Sequence, residues 1–214
     1  MTLLLPDKRN ICVTGPTDPT HRHYQFGVRY FMNKRLEMAL ELLEGAGGVR
    51  GRFLDAGCGG GVFLPELSRY SDRLYAIDIH RNLAAVEQMC KNEEIKAHFS
   101  CASLKDIPFQ DETFDTVISI SVLEFVDDLE RAVAELKRVL KKSGRLIVGF
   151  PVLNYVTRLG YFLIGCFIAE KVHTATHTEI LAALNREFKS GRVNYFPKYA
   201  PSHAALYACG LFSR

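Results

Sequence analysis

Apolar and polar positions follow two rhythms along most of this chain. From about Tyr24 to Glu44 the apolar set Phe31, Leu36, Met38, Ala39, Leu40, Leu42 and Leu43 recurs at the spacing of one helix face, and it stops before Gly45, Gly47 and Gly48. Upstream, residues 6–23 are rich in Pro, Thr, Asp and His and read as an irregular arm. Arg52–Ala56 is a short strand running into a glycine turn, and Val62–Tyr70 is a helix that tolerates Pro65 in its first turn. Strand Arg73–Asp78, helix Asn82–Asn92, strands Ala97–Cys101 and Thr113–Ile120, helix Leu129–Lys141 and strand Arg145–Phe150 complete the series. Strands alternating with helices through short connections predict an α/β fold, a doubly wound, mostly parallel sheet with helices on both faces.

After Pro151 the rhythm changes. An apolar segment comes first, then the His/Thr-rich stretch His173–Thr178, a helix over Glu179–Phe188, and two strand-like runs near Arg192–Phe196 and His203–Phe212. Those runs are close enough to pair as a C-terminal antiparallel hairpin. With 214 residues and no linker or repeat, one domain is expected. It divides into an arm and helix (1–45), a core (46–151), a connecting segment (152–177) and a C-terminal helix and hairpin (178–214).

Composition narrows the function classes. Apolar residues make up 48% and charged residues 24%, which excludes a disordered chain. A net charge of +3 is too weak a bias to argue for nucleic acid, although residues 151–214 hold 7 basic against 3 acidic side chains. The six cysteines form no C-x-x-C pair, which points to free thiols in a reducing, cytoplasmic setting. The apolar run Leu3–Leu5 is too short for a secretory signal. Val152–Ala169 is nearly apolar, but Asn154, Arg158, Gly160 and Gly165 argue against a transmembrane span. Peripheral contact with a membrane stays open for this segment.

The most informative stretch is Phe53-Leu-Asp55-Ala56-Gly57-Cys-Gly59-Gly60-Gly61. It lies where a parallel strand passes into a helix, the position at which open α/β sheets bind ligands. Glycines there allow a tight turn and close approach of a ligand to the main chain. Asp78 ends the next strand, where an acid can bond the hydroxyls of a ribose. A dinucleotide fingerprint would need glycine at position 62, where this chain has Val62, and a pyrophosphate would meet repulsion from Asp55. An acid opening the turn suits a ligand with a cationic end.

These residues resemble motif I of the class I S-adenosylmethionine-dependent methyltransferases, and the likeness runs from about residue 36 to 151. Asp78-Ile79 is similar to the acidic ribose post. Ile107-Pro108-Phe109, the segment Phe114–Phe125 and the helix–glycine–strand Leu136–Ile147 follow in the family's order. The resemblance implies a Rossmann-like fold that binds S-adenosylmethionine. It implies that Asp55, Ala56, Gly57, Gly59 and Gly61 surround the methionine part, Asp78 takes the ribose and Ile79 flanks the adenine. By the same resemblance Ser103 and Leu104 contact the adenine edge, and Ser119 faces the amino-acid part. Two departures stand out: relatives often have Asp where Ser103 stands, and His where Phe125 stands.

Methyl transfer from a sulfonium asks the protein mainly for alignment, and a hydroxyl acceptor also needs a general base. Glu124, His173 and His177 are the candidates. The alternative for Glu124 is a structural pairing, and for the histidines surface hydrogen bonding. The spacing His-x-x-x-His can hold metal, but neither the adjacent Glu nor a third ligand is present, and metal-independent chemistry is expected. Residues 152–177, with Tyr155, Arg158, Tyr161, Phe162 and Phe167, form either an acceptor lid or a packing or dimer surface. Tyr24, Tyr30, Phe31 and Arg35 precede motif I, where the family often folds a segment over the cofactor. The expectation is a monomeric or homodimeric methyltransferase acting on a small-molecule or lipid-like acceptor. The alternative is a non-catalytic cofactor-binding protein whose lid serves a protein partner.

Overall fold

The computed structural model describes residues 3–15, 18–47, 51–155, 157, 174–199, 201 and 204–214. Seven strands form one sheet: β1 (Arg52–Ala56), β2 (Arg73–Asp78), β3 (Ala97–Cys101), β4 (Phe114–Ile120), β5 (Leu140–Pro151), β6 (Ser190–Phe196) and β7 (Tyr207–Ser213). Their order is β3-β2-β1-β4-β5-β7-β6, with β1 to β5 parallel and β7 antiparallel between β5 and β6. Helices α1 (Arg29–Gly45), α2 (Leu64–Ser68), α3 (Leu83–Asn92), α4 (Leu129–Val139) and α5 (His177–Glu187) cover the two faces. The doubly wound sheet and its C-terminal antiparallel pair are both present.

Side-chain alternation explains the two layers. Leu54, Val117, Leu146 and Val148 point into one core with α4 and α5. Their strand neighbours Phe53, Ile118 and Ile147 point into the other, with α1, α2 and α3. Residues buried on both faces give strands that read as unbroken apolar runs. Helix α4 starts at Asp128, whose carboxylate accepts the Arg131 N–H at 3.2 Å, and buries Ala132, Val133, Leu136 and Val139 on one face. Helix α5 starts with a capping box: Thr176 accepts from the Glu179 N–H while Glu179 accepts from the Thr176 N–H.

Several boundaries differ from the sequence expectation. The helix expected over Val62–Tyr70 shrinks to α2, because Arg69 and Tyr70 turn back onto the carbonyls three residues earlier. Helix α4 ends at Val139 and β5 begins at Leu140, since Leu140 pairs with Phe114. The run expected from His203 becomes a strand only at Tyr207, after a turn in which the Ala204 N–H donates to Pro201. Within the irregular arm a 3₁₀ turn forms at Thr20–Tyr24.

The winding reverses at β1, which has β2 on one side and β4 on the other. Asp55, at the end of β1, sits level with Ala76 and Ile118. The carboxyl ends of β1, β2 and β4 therefore open side by side into the crevice where such sheets hold ligands. Among the described residues no helix is long and apolar enough to cross a membrane.

Candidate active site

A crevice of about 360 Å³ opens at this switch point. Its floor is the glycine turn. The N–H groups of Gly57 and Cys58 both donate to the Ile77 carbonyl, at 2.8 and 3.0 Å, so the turn is fixed to the end of β2. Gly57 has φ +94°, and a Cβ there would lie 2.3 Å from the Val122 side chain, so position 57 admits only glycine.

Asp78 and His80 lock the second wall. One Asp78 oxygen accepts the Gly59 N–H at 2.8 Å and the other the His80 N–H at 3.2 Å. The His80 ring closes the loop: its Nδ1 accepts from the Asn82 N–H at 3.1 Å, which leaves the proton on Nε2 to donate to the Gly59 carbonyl at 3.0 Å. Ile79 lines the crevice beside them with 72% of its surface exposed. Asp55 is buried at the floor. Burial, together with the nearby Asp78 charge, pushes its carboxyl up to about 7.

The arm supplies the opposite wall. Asp18 ties it together, accepting from the N–H and hydroxyl of both Thr14 and Thr20 at 2.6–2.8 Å. A Cβ on Gly60 would lie 2.3 Å from the Cys12 carbonyl and 2.5 Å from the Thr20 hydroxyl, so the arm rests directly on the glycine turn. Further out, Leu4 N–H donates to Glu66 and Asp7 N–H to Glu93, fastening the arm to α2 and α3. His23 lines the crevice with Nδ1 2.8 Å from Asn33 Oδ1. Burial and the Arg35 charge push it down to about 4, which keeps it neutral near pH 7.

A third group joins α1, β4 and β7. Arg35 Nη1 donates to the Ser121 hydroxyl at 3.0 Å, and the Tyr207 hydroxyl lies 2.8 Å from the same oxygen. Ser121 has φ +58°, a left-handed conformation that costs a non-glycine residue and is held by its N–H bond to Gly149. The Arg35 guanidinium sits over the Tyr207 ring, 5.8 Å from its centroid; the buried Glu124 carboxyl feels its charge, but no carboxylate among the described residues forms a salt bridge with it. The crevice thus has carboxylates on the strand ends and a cation facing them from α1.

The sequence-derived residues divide. Asp55, Gly57, Gly59, Asp78 and Ile79 line the crevice, and so does Arg35. Ala56 is wholly buried, and Gly61 packs on Val86, Met89 and Leu64. Ser119 does not face the crevice: its buried hydroxyl donates to the Ala56 carbonyl at 2.9 Å. Leu104 is in the core, and the Ser103 hydroxyl accepts the Lys105 N–H, so neither lines the crevice.

Of the catalytic candidates, neither Glu124 nor His177 lines the crevice. Glu124 is buried off the crevice wall, its Oε2 without a partner among the described residues, and burial pushes its carboxyl up to about 8. Its backbone carbonyl accepts the N–H groups of Thr174 and Ala175, which seats the chain leading into α5. His177 opens α5, its pKa lowered by burial. His173, with Arg158, Tyr161, Phe162 and Phe167, lies outside the described residues. Sequence reasoning missed Asp18, Thr20, His80 and Ser121. The closely spaced Thr14, Asp18 and Thr20 were the one available signal, being residues that bond their own backbone in turns.

Residues 54–148 match a family profile described as a methyltransferase domain. The chain is 30% identical over 136 residues to a ubiquinone biosynthesis O-methyltransferase of Xanthomonas euvesicatoria, covering 63% of this chain and 52% of that one. It is 33% identical over 104 residues to a phosphatidylethanolamine N-methyltransferase of Cereibacter sphaeroides, covering 46% and 49%. It spans about half the length of these curated relatives. A crystal structure of a Pyrococcus horikoshii protein superposes with a TM-score of 0.68 at 19% identity, covering 92% of this chain and 96% of that one, and shares its fold.

Proposed function

We propose, from the premise that residues 54–148 are a class I S-adenosylmethionine-dependent methyltransferase domain, that the chain transfers a methyl group to a small-molecule or lipid-like acceptor. The observation that carries this reading is the pairing of Asp78 with the glycine turn, above a buried Asp55 and opposite Arg35. The residues fit the cofactor. Asp55 lacks a donor among the described residues and suits the methionine amino group. Arg35 suits the carboxylate on the same α-carbon. Asp78, fixed by two N–H groups, has lone pairs left for two ribose hydroxyls. Ile79 offers an exposed apolar face for the adenine.

S-Adenosylmethionine bound there supplies an electrophilic methyl group on a sulfonium. The chain's residues contribute position: the arm covers the glycine turn, and Ser121 directs a hydroxyl into the crevice. Among the described residues the Tyr207 hydroxyl bonds only to Ser121, and Arg35 can only donate; with Tyr207 as donor too, the Ser121 hydrogen is left for a ligand. Similarity to a ubiquinone biosynthesis O-methyltransferase and to a phosphatidylethanolamine N-methyltransferase supports a lipid-like acceptor met at a membrane surface.

Calorimetry with S-adenosylhomocysteine and with NAD tests the cofactor assignment. Binding of the first and not the second is expected, and binding of NAD alone would overturn it. Labelled cofactor incubated with aqueous and lipid extracts then reports which fraction carries the methylated product.

A further inference from the structure

Four large aromatic side chains stand out of the surface on one side of the sheet's carboxyl edge. Phe26 is 91% exposed, Tyr30 66% and Tyr199 92%, and Tyr155 follows the end of β5. The first three are related through α1 and Phe196. Phe26 lies in the turn that leads into α1, one helical turn before Tyr30, and Tyr30 packs on Phe196 with ring centroids 6.1 Å apart. Phe196 is followed directly by Pro197-Lys198-Tyr199. Phe196 also pairs across β7 with Tyr207, whose hydroxyl meets Ser121 on the crevice wall. The aromatic rim therefore borders the crevice on the side of the strands β5 to β7.

The segments that carry this rim, residues 19–36 and 196–208, contain no Asp or Glu, yet they carry Arg22, Arg29, Lys34, Arg35 and Lys198. Lys34 is occupied by Glu37 and Glu41, and Arg35 turns inward to Ser121. Arg29 and Lys198 are exposed and have no carboxylate partner among the described residues. Lys198 instead lies over the Tyr199 ring, 5.9 Å from its centroid.

We propose that this rim is a docking surface for an anionic lipid bilayer, with Phe26, Tyr30 and Tyr199 entering the headgroup layer and Arg29 and Lys198 meeting the lipid phosphates. Exposed aromatics beside unpaired cations suit that layer, where amphipathic rings and basic side chains both gain. A second copy of the chain is a poorer occupant, because a two-fold contact would set these cations against themselves. The inference rests on the lipid-acceptor reading above, since it places the crevice mouth beside the membrane that holds such an acceptor.

Sedimentation of the full chain with vesicles tests it, using phosphatidylcholine alone and phosphatidylcholine with about one-third phosphatidylglycerol. The protein is expected to pellet with the anionic vesicles, stay in solution with the neutral ones, and be released by high salt. The double variants Phe26→Ser/Tyr199→Ser and Arg29→Glu/Lys198→Glu should each weaken anionic binding by about tenfold or more. Both should bind S-adenosylhomocysteine as the wild type does. Wild-type protein that stays in the supernatant, or variants that pellet unchanged, would overturn the proposal. So would equal binding to neutral vesicles, or self-association broken by the same substitutions in sedimentation velocity. Failure of the methyltransferase reading would appear separately, as absent S-adenosylhomocysteine binding.

Discussion

Replacing Asp55 with Asn tests the electrostatics of the crevice floor directly. In the unfolded chain this carboxyl titrates near 3.8, whereas in the folded protein burial and Asp78 push it up to about 7. The folded state therefore keeps a proton that the unfolded state releases, and ionising Asp55 weighs against folding. Relative to Asp55→Asn, the wild type has almost no deficit at about pH 4, loses stability between about pH 4 and 7, and has a constant deficit above that range. At roughly 1.4 kcal/mol per pH unit the full deficit is about 4 kcal/mol, and water reaching the crevice face reduces it to an expected 2–4 kcal/mol. Urea unfolding of both proteins at about pH 4 and about pH 8 measures it as the change in their stability difference. A difference that is the same at both pH values would refute the reasoning. The same proton appears in binding. A cationic amino group restores the ionised form, so S-adenosylhomocysteine should release about half a proton at pH 7. Binding enthalpies in buffers of different ionisation enthalpy report that release, and Asp55→Asn should abolish it.

Asp78→Ala removes the proposed ribose partner and the Gly59 acceptor together, and it should lower S-adenosylhomocysteine affinity by about 1–3 kcal/mol in calorimetry. His80→Phe should raise the cofactor KM with little change in kcat, whereas His80→Gln, which keeps a donor for the Gly59 carbonyl, should recover part of the loss. Gly60→Ala drives a methyl group into the Cys12 carbonyl and should expose the arm to limited proteolysis, while Gly45→Ala, at an open helix end, should leave the thermal midpoint unchanged or raise it. Tyr207→Phe deletes a buried hydroxyl bonded to Ser121 and should cost about 1 kcal/mol in urea unfolding.

Those residues also show which parts of the molecule the sequence displays. The strands were legible because a parallel sheet covered on both faces needs side chains such as Val117-Ile118 and Leu146-Ile147-Val148 to be apolar without interruption. Asp55, Gly57, Gly59 and Asp78 were legible because their contacts are local to one strand–turn–helix unit and its neighbour. Ser119 sits elsewhere than its sequence position suggested. Strand β4 continues through Ile120, so the serine falls one residue inside the sheet and bonds Ala56. Leu104 turns its apolar side chain into the core beneath the turn.

The other half of the crevice carries no periodic signal, because long-range contacts build it. Asp18 and Thr20 reach Gly60 across forty residues of intervening chain, and Arg35, Ser121 and Tyr207 come from three elements far apart in sequence. No window of the chain contains that triad, and a residue-by-residue motif can place only the arginine. Yet the triad sets the polarity of the site. The carboxylates of Asp55 and Asp78 belong to the strand ends, Asp18 on the arm already accepts four hydrogen bonds, and among the described residues the crevice guanidinium is that of Arg35 on α1. A zwitterionic ligand therefore has a single favourable orientation, with its amino group toward β1 and its carboxylate toward α1. Reversing it would set amine against Arg35 and carboxylate against Asp55, two like-charge contacts in place of two attractive ones. The motif selects the ligand, while the unmarked contacts of α1, β4 and β7 decide which way it faces.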